Sequence, residues 1–197
     1  MPVMVLSNCF LLPGCLMPLF IFEERYRLMV RYALKADRMF CVGIRKRTCG
    51  DCGQEEVLPY TTAGLIRACV RNEDGTSQLM LHGVRRIRIK GWTQEQPFRI
   101  ADVEPLVTEP FDLDCVSELQ RRAAMLLPPP GAAVCEVVDL VRKTIECMRN
   151  PELVCDVLAY HFVKRTCTLK SLLSETCLIR RYSMLISELE RAAQDRG

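Results

Sequence analysis

Histidine and tryptophan are nearly missing from this chain, with two and one in 197 residues, and neither sign of charge dominates. The net charge is +3, from 27 Lys and Arg against 24 Asp and Glu, and the excess falls in residues 1–110. That balance is far from the basic signature of a dedicated nucleic-acid binder, so nucleic acid is not an expected partner. The phosphate-cradling pattern GxxxxGK[ST] is absent, as are GxGxxG, HExxH, GxSxG and calcium-loop spacing, which removes the common nucleotide and hydrolase sites. His82 and His161 are the only imidazoles for Cys-His or Ser-His chemistry, and each reads as an ordinary histidine at the border of a core. No catalytic residue is assigned, and the chain is not expected to be an enzyme.

Residues 4 to 22 carry no charged side chain but fail as a leader or membrane span. No basic segment precedes it, Pro13, Gly14 and Pro18 interrupt it, and Ser7 and Asn8 break it again. It reads as a strand, a Pro-Gly turn and a second strand inside the core, in a protein expected in the cytoplasm with no membrane partner.

Twelve cysteines are fewer than a disulfide-stapled secreted chain of this length carries, so reduced thiols are expected. Cys41, Cys69, Cys147 and Cys155 lie in apolar runs and read as small core residues. Cys49-Gly50-Asp51-Cys52-Gly53 is the sharpest local motif. It is half of a zinc site, since a structural zinc wants four ligands and no second Cys-x-x-Cys or His pair follows. Redox chemistry is the other functional reading, although such motifs normally open a helix, where the dipole lowers the thiol pKa. An incidental turn is the plain reading, so no cofactor is expected, with zinc on Cys49 and Cys52 as the alternative.

Up to residue 110 the chain reads as short strands bounded by Gly, Pro, Asn and Asp. One helix interrupts them at residues 23 to 36, with Tyr26, Met29, Val30 and Ala33 on its apolar face. Strands follow at 38–46 and over 57–71, the latter as two short strands or one long bent one around Gly64, then a turn at Asn72-Glu73-Asp74-Gly75. The returning strand places Leu79, Leu81, Ile87 and Ile89 inward around a bulge at Gly83, with Arg86, Arg88 and Lys90 outward. With Arg85 these form a basic stripe that reads as a solvated face, RNA binding through it being the alternative. A last strand spans Phe98 to Val103. Five or more strands with one helix suggest a small closed or half-closed barrel.

From residue 112 the apolar period becomes helical. Val116, Leu119, Ala123 and Leu126 mark one helix, and Val134, Val138, Val141, Ile145 and Met148 a second. Asn150-Pro151 opens a third, Thr168 caps a short fourth, and Leu178, Tyr182, Leu185 and Leu189 mark the last. The expected domains are 1–110, a β subdomain, and 111–197, a helical bundle, in the α+β class.

The order of these pieces resembles the Lon protease N-terminal domain. Residues 10 to 30, FLLPGCLMPLFIFEERYRLMV, match that family's P-G turn, P-L-x-I-F strand end and E-x-R-Y through Pro13, Gly14, Pro18, Leu19, Ile21, Phe22, Glu23, Arg25 and Tyr26. Gly64, Gly83, Val84, Arg85, Arg86 and Arg88 match its glycine strand and G-x-R-R hairpin. ADVEPL at 101–106 and NPELVCDVLAYHF continue the likeness, with Cys155 where the family has Ala, and Leu178, Arg181 and Leu185 resemble its last helix. The CGDCG loop departs from the pattern.

The resemblance implies a PUA-like β domain followed by a helical bundle, acting in recognition of polypeptides. A Lon protease continues into an ATPase module and a Ser-Lys protease domain, and 197 residues leave room for neither, so a stand-alone substrate-binding domain is expected. Its expected partners are unfolded or partner polypeptides, with a separate protease or ATPase as a further candidate. Pro18, Phe20, Phe22, Arg25 and Tyr26 are the candidate binding residues, on a strand edge where an extended peptide can add. The competing expectation is that the large apolar residues among them are core.

Overall fold

A computed structural model of the chain describes residues 1–46, 56–128 and 136–194. The chain divides into two compact units, Met1–Leu106 and Val107–Gly197. The α and β elements are segregated along the chain as expected, and no helix among the described residues is long and apolar enough to cross a membrane.

Among the described residues the first unit has six strands and one helix: β1 (Pro2–Leu6), β2 (Leu16–Ile21), α1 (Glu24–Lys35), β3 (Met39–Ile44), β4 (Tyr60–Arg71), β5 (Ser77–Gln94) and β6 (Arg99–Pro105). They form one sheet in the order β2-β5-β4-β3-β1-β6, and β6 pairs a second time with β5. The hydrogen-bonded path from β5 through β4, β3, β1 and β6 therefore returns to β5, while β2 hangs from β5 alone. The region expected as two strands or one bent one around Gly64 is the single strand β4, irregular at Ala63/Gly64 and at Ile66/Ala68.

The helix between β2 and β3 forms where its pattern predicts, and Tyr26, Met29, Val30 and Ala33 are its buried residues. They pack with Met4, Phe40, Ile66, Leu79 and Leu81 of the sheet into the main core. A second cluster gathers Val3, Val5, Cys41, Ala63, Ile87 and Ala101. The β4–β5 turn closes through Asp74, whose carboxylate accepts from the Thr76 N–H (2.9 Å) and hydroxyl (2.7 Å), with Gly75 at φ +80°. Gly83 is needed for a different reason: a Cβ there would stand 2.1 Å from the Leu12 carbonyl oxygen.

The second unit holds α2 (Leu113–Met125), α3 (Glu136–Glu146), α4 (Pro151–Phe162), α5 (Thr166–Ser174) and α6 (Leu178–Gln194). Asp112 caps α2 by accepting from the N–H groups of Asp114 and Cys115, and Asn150 caps α4 with Pro151 at its first turn. Thr168 does not cap α5. The cap position is Arg165, and Thr168 lies inside the helix, its hydroxyl donating to Glu188 on α6 (2.6 Å). The residues where the second helix was expected to begin, Val134 among them, lie outside the described residues.

One feature of this unit has no signal in the apolar pattern. Arg181 is fully buried on α6, with Nη2 donating to the Thr108 hydroxyl (2.7 Å) and to Glu152 (3.1 Å), and Nη1 at 3.8 Å from the buried Asp156 carboxylate. Thr108 in turn donates to Glu152. The segment just after β6 is thereby anchored on α4 and α6 by hydrogen bonds to ionised groups, which are stronger than neutral ones.

The expected thiol burial holds for Cys41 and Cys155, whereas Cys69 is half-buried and Cys147 is exposed just past the end of α3. Cys147 lies past the end of α3, off the buried stripe of Val138, Val141 and Ile145.

A candidate binding face on the open side of the sheet

β2 pairs with β5 along its whole length, from Leu16 opposite His82 to Ile21 opposite Ser77. It does not lie inside the core as expected. Met17 and Ile21 are buried and Leu19 half-buried, while Leu16, Pro18 and Phe20 face outward. A strand that closes one end of a sheet above a core on one side alternates in this way.

The ladder also has a parity. The Gly83 N–H donates to the Cys15 carbonyl (2.9 Å), so with the register unbroken Met17, Leu19 and Ile21 aim their main-chain groups at β5. Pro18 and Phe20 aim theirs at the outer edge, where Pro18, lacking an N–H, takes nothing from the β5 ladder. No described strand occupies that edge.

Following the register from β2 through β5 to β4 gives the outward rows. Leu16, His82 and Leu65 form the first, Pro18, Met80 and Ala68 the second, and Phe20, Gln78 and Val70 the third. Phe20 is 56% exposed and Val70 64%. The paired positions carry no Asp, Glu, Lys or Arg, and His82 is their one ionisable side chain, while Arg67, the extra residue at the β4 irregularity between Ile66 and Ala68, is exposed and acts on it. Between Phe20, Pro18, Ala68, Gln78 and Met80 the surface dips into a groove of about 510 Å³. Phe22 extends the surface past the strand end, 61% exposed and stacked on Phe20 with ring centroids 6.0 Å apart. Contiguous exposed apolar surface of this kind is uncommon on a monomeric protein and marks interaction sites.

His82 is half-buried here, and its pKa lies below the ordinary histidine value because burial disfavours the charged ring and Arg67 repels it.

Of the five candidate residues, Pro18, Phe20 and Phe22 meet on this face. Arg25 and Tyr26 lie off these rows. Tyr26 is buried, its hydroxyl bonded to both main-chain groups of Val5, and Arg25 lies over its ring at 4.5 Å while pairing with Glu23 at 2.9 Å. Leu16, Leu65, Ala68, Val70 and Met80 were not singled out from sequence. The Asn72–Gly75 turn carried part of the signal, since it pairs Val70 with Gln78, but nothing local says that β2 comes to lie beside β5.

The basic stripe on β5 is not a free row of cations. Arg86, expected outward, is only 6% exposed, and its carbonyl accepts from the Leu106 N–H (3.0 Å). Arg88 faces Glu104 at 3.5 Å and Lys90 faces Asp102 at 3.4 Å. Those cross-strand carboxylates offset the charge that phosphate contacts would need. Cys49 and Cys52 lie outside the described residues, and among the described residues no group of His, Cys, Asp and Glu is placed to hold a metal. His161 is exposed on α4, edge-on to Tyr160.

Comparison with known proteins agrees with this architecture. Residues 1–191 match the family model of the ATP-dependent protease La (LON) substrate-binding domain. Lon protease of Desulfovibrio desulfuricans is 22% identical over 206 residues, covering 98% of this chain, and Lon protease of Trichlorobacter lovleyi is 23% identical over 198 residues, covering 97%. The chain spans only 22% and 24% of those two relatives. Among solved structures, the N-terminal domain of Mycobacterium avium complex Lon protease superposes with a TM-score of 0.70 at 16% identity, covering 96% of this chain and 97% of that one. The Lon N-terminal domain protein from Xanthomonas campestris gives 0.60 at 23% identity, covering 94% and 96%. The chain belongs to the Lon substrate-binding domain family.

Proposed function

We propose that this chain is a non-enzymatic recognition module that holds extended, uncharged apolar segments of unfolded or partner polypeptides on the outward face of β2, β5 and β4. The observation that supports the reading is the set of apolar rows lying beside a β2 edge that no described strand occupies. An incoming segment can lie across Phe20, Met80 and Val70, and where it passes the outer edge of β2 it can hydrogen-bond to the main-chain groups of Phe20 and to the Pro18 carbonyl. A charged side chain placed there would lose water without gaining a partner, which selects against polar segments. The closed path of strands beneath the face is the PUA-like barrel in this reading, and it serves as a rigid support. A separate protease or ATPase is the partner to which such a module would present its cargo, and the cytoplasm is its proposed compartment.

The test is binding of purified protein to fluorescent unstructured peptides, apolar and charged, at low and high salt. Affinity for the apolar peptides in roughly the micromolar range, little changed by salt, is the expected result. Binding that collapses with salt would point instead to a charged ligand, and no binding to any peptide would sink the reading.

A further inference from the structure

The outward face carries one group whose charge can change near neutral pH, and it sits in the apolar rows rather than at their rim. We propose that His82 makes this face pH-sensitive: with a neutral imidazole it accepts an apolar segment, and on forming the imidazolium it lets the segment go. The proposal rests on the polypeptide-binding reading above and concerns the regulation of that same site.

The geometry supplies the coupling. Across the sheet His82 faces Leu16 on β2 and Leu65 on β4, and the next row on its side is Pro18, Met80 and Ala68. The charged group that acts on the ring is the Arg67 guanidinium on β4, which opposes protonation, and no carboxylate among the described residues favours it. A segment lying over these rows would strip the remaining water from the ring, so the bound state disfavours the proton more than the free state does.

The sign follows from linkage. Because the free protein binds the His82 proton more readily than the complex, affinity is constant above the free-state pKa and falls as pH drops through it, by at most about tenfold per pH unit for one proton. Free His82 already titrates below an ordinary histidine, which puts the loss on the acid side of neutrality.

The experiment measures affinity for a blocked apolar peptide with no ionisable side chain, from about pH 7.5 to about pH 5, for the native protein and for His82→Gln. The native protein should weaken several-fold across that range, and the ratio for His82→Gln should stay near one whatever its affinity at the upper end. A second readout is the imidazole titration followed by NMR, which is simple because the chain has only two histidines. Saturation with peptide should lower the His82 pKa and leave that of His161 in place. Binding that is flat with pH in the native protein, an acid loss that persists in His82→Gln, or an unmoved His82 titration would each overturn this proposal and leave peptide recognition standing. Absence of binding at the upper pH would overturn both.

Discussion

The Tyr26 hydroxyl closes the free side of Val5, accepting from its N–H at 3.2 Å and donating to its carbonyl at 3.0 Å. β3 pairs with β1 on one side through Val5 opposite Gly43, whereas β6 pairs only as far as Val3. A side chain of α1 thus does the work of a missing stretch of strand. Tyr26→Phe leaves two buried main-chain groups unsatisfied and should cost about 1–3 kcal/mol in urea unfolding. Peptide affinity of the folded variant should be unchanged, because Tyr26 lies under the sheet rather than on its outward face.

Phe20 behaves oppositely. It is more than half exposed, so Phe20→Ala leaves no cavity and should change stability by less than about 1 kcal/mol. Affinity for apolar peptides should fall about tenfold, as for loss of an aromatic anchor. Val70→Asp, across the face from Phe20, should weaken binding at least as much by introducing a charge with no partner. A Phe20→Ala protein that melts early and binds normally would assign Phe20 to the core.

Arg181 is the most stringent stability probe of the helical unit. Arg181→Met strands the Asp156 carboxylate in the interior and releases Thr108 and Glu152, at a cost of about 3–5 kcal/mol measured by denaturant titration. Arg181→Met combined with Asp156→Leu should recover part of that loss, since the uncompensated charge has gone.

The described thiols should react in a definite order with iodoacetamide, followed by peptide mass spectrometry. Burial raises the Cys41 pKa to about 12, so at neutral pH it is protonated as well as covered and should be protected until the chain unfolds. Cys167 is exposed, and its pKa is lowered by the Thr168 hydroxyl and by Arg165, so it carries more thiolate at a given pH. It should label ahead of Cys115 and Cys147, which are exposed as well.

Most of the elements were legible because each is a short-range property. The 3.6-residue period of Tyr26, Met29, Val30 and Ala33 and the Asp74-Gly75 turn act over a few residues of chain. Where reading failed, the deciding contact came from far along the chain. Arg86 alternates like an outward residue and is nonetheless buried. Thr168 looks like a cap and is instead drawn to Glu188, twenty residues on.

Pro18, Phe20 and Phe22 could be singled out from sequence as an apolar strand end followed by a helix, and the family likeness rested in part on Pro18 and Phe22. Sequence also determined the change from strands to helices, the scarcity of catalytic side chains and the near balance of charge. Only the tertiary structure decided that β2 pairs with β5 on one side and nothing described on the other. That pairing places Phe20 beside Gln78 and Val70, and His82 among leucines. The physical reason is that alternation fixes two sides for each strand, while the choice of which side meets water belongs to the partners that strand finds.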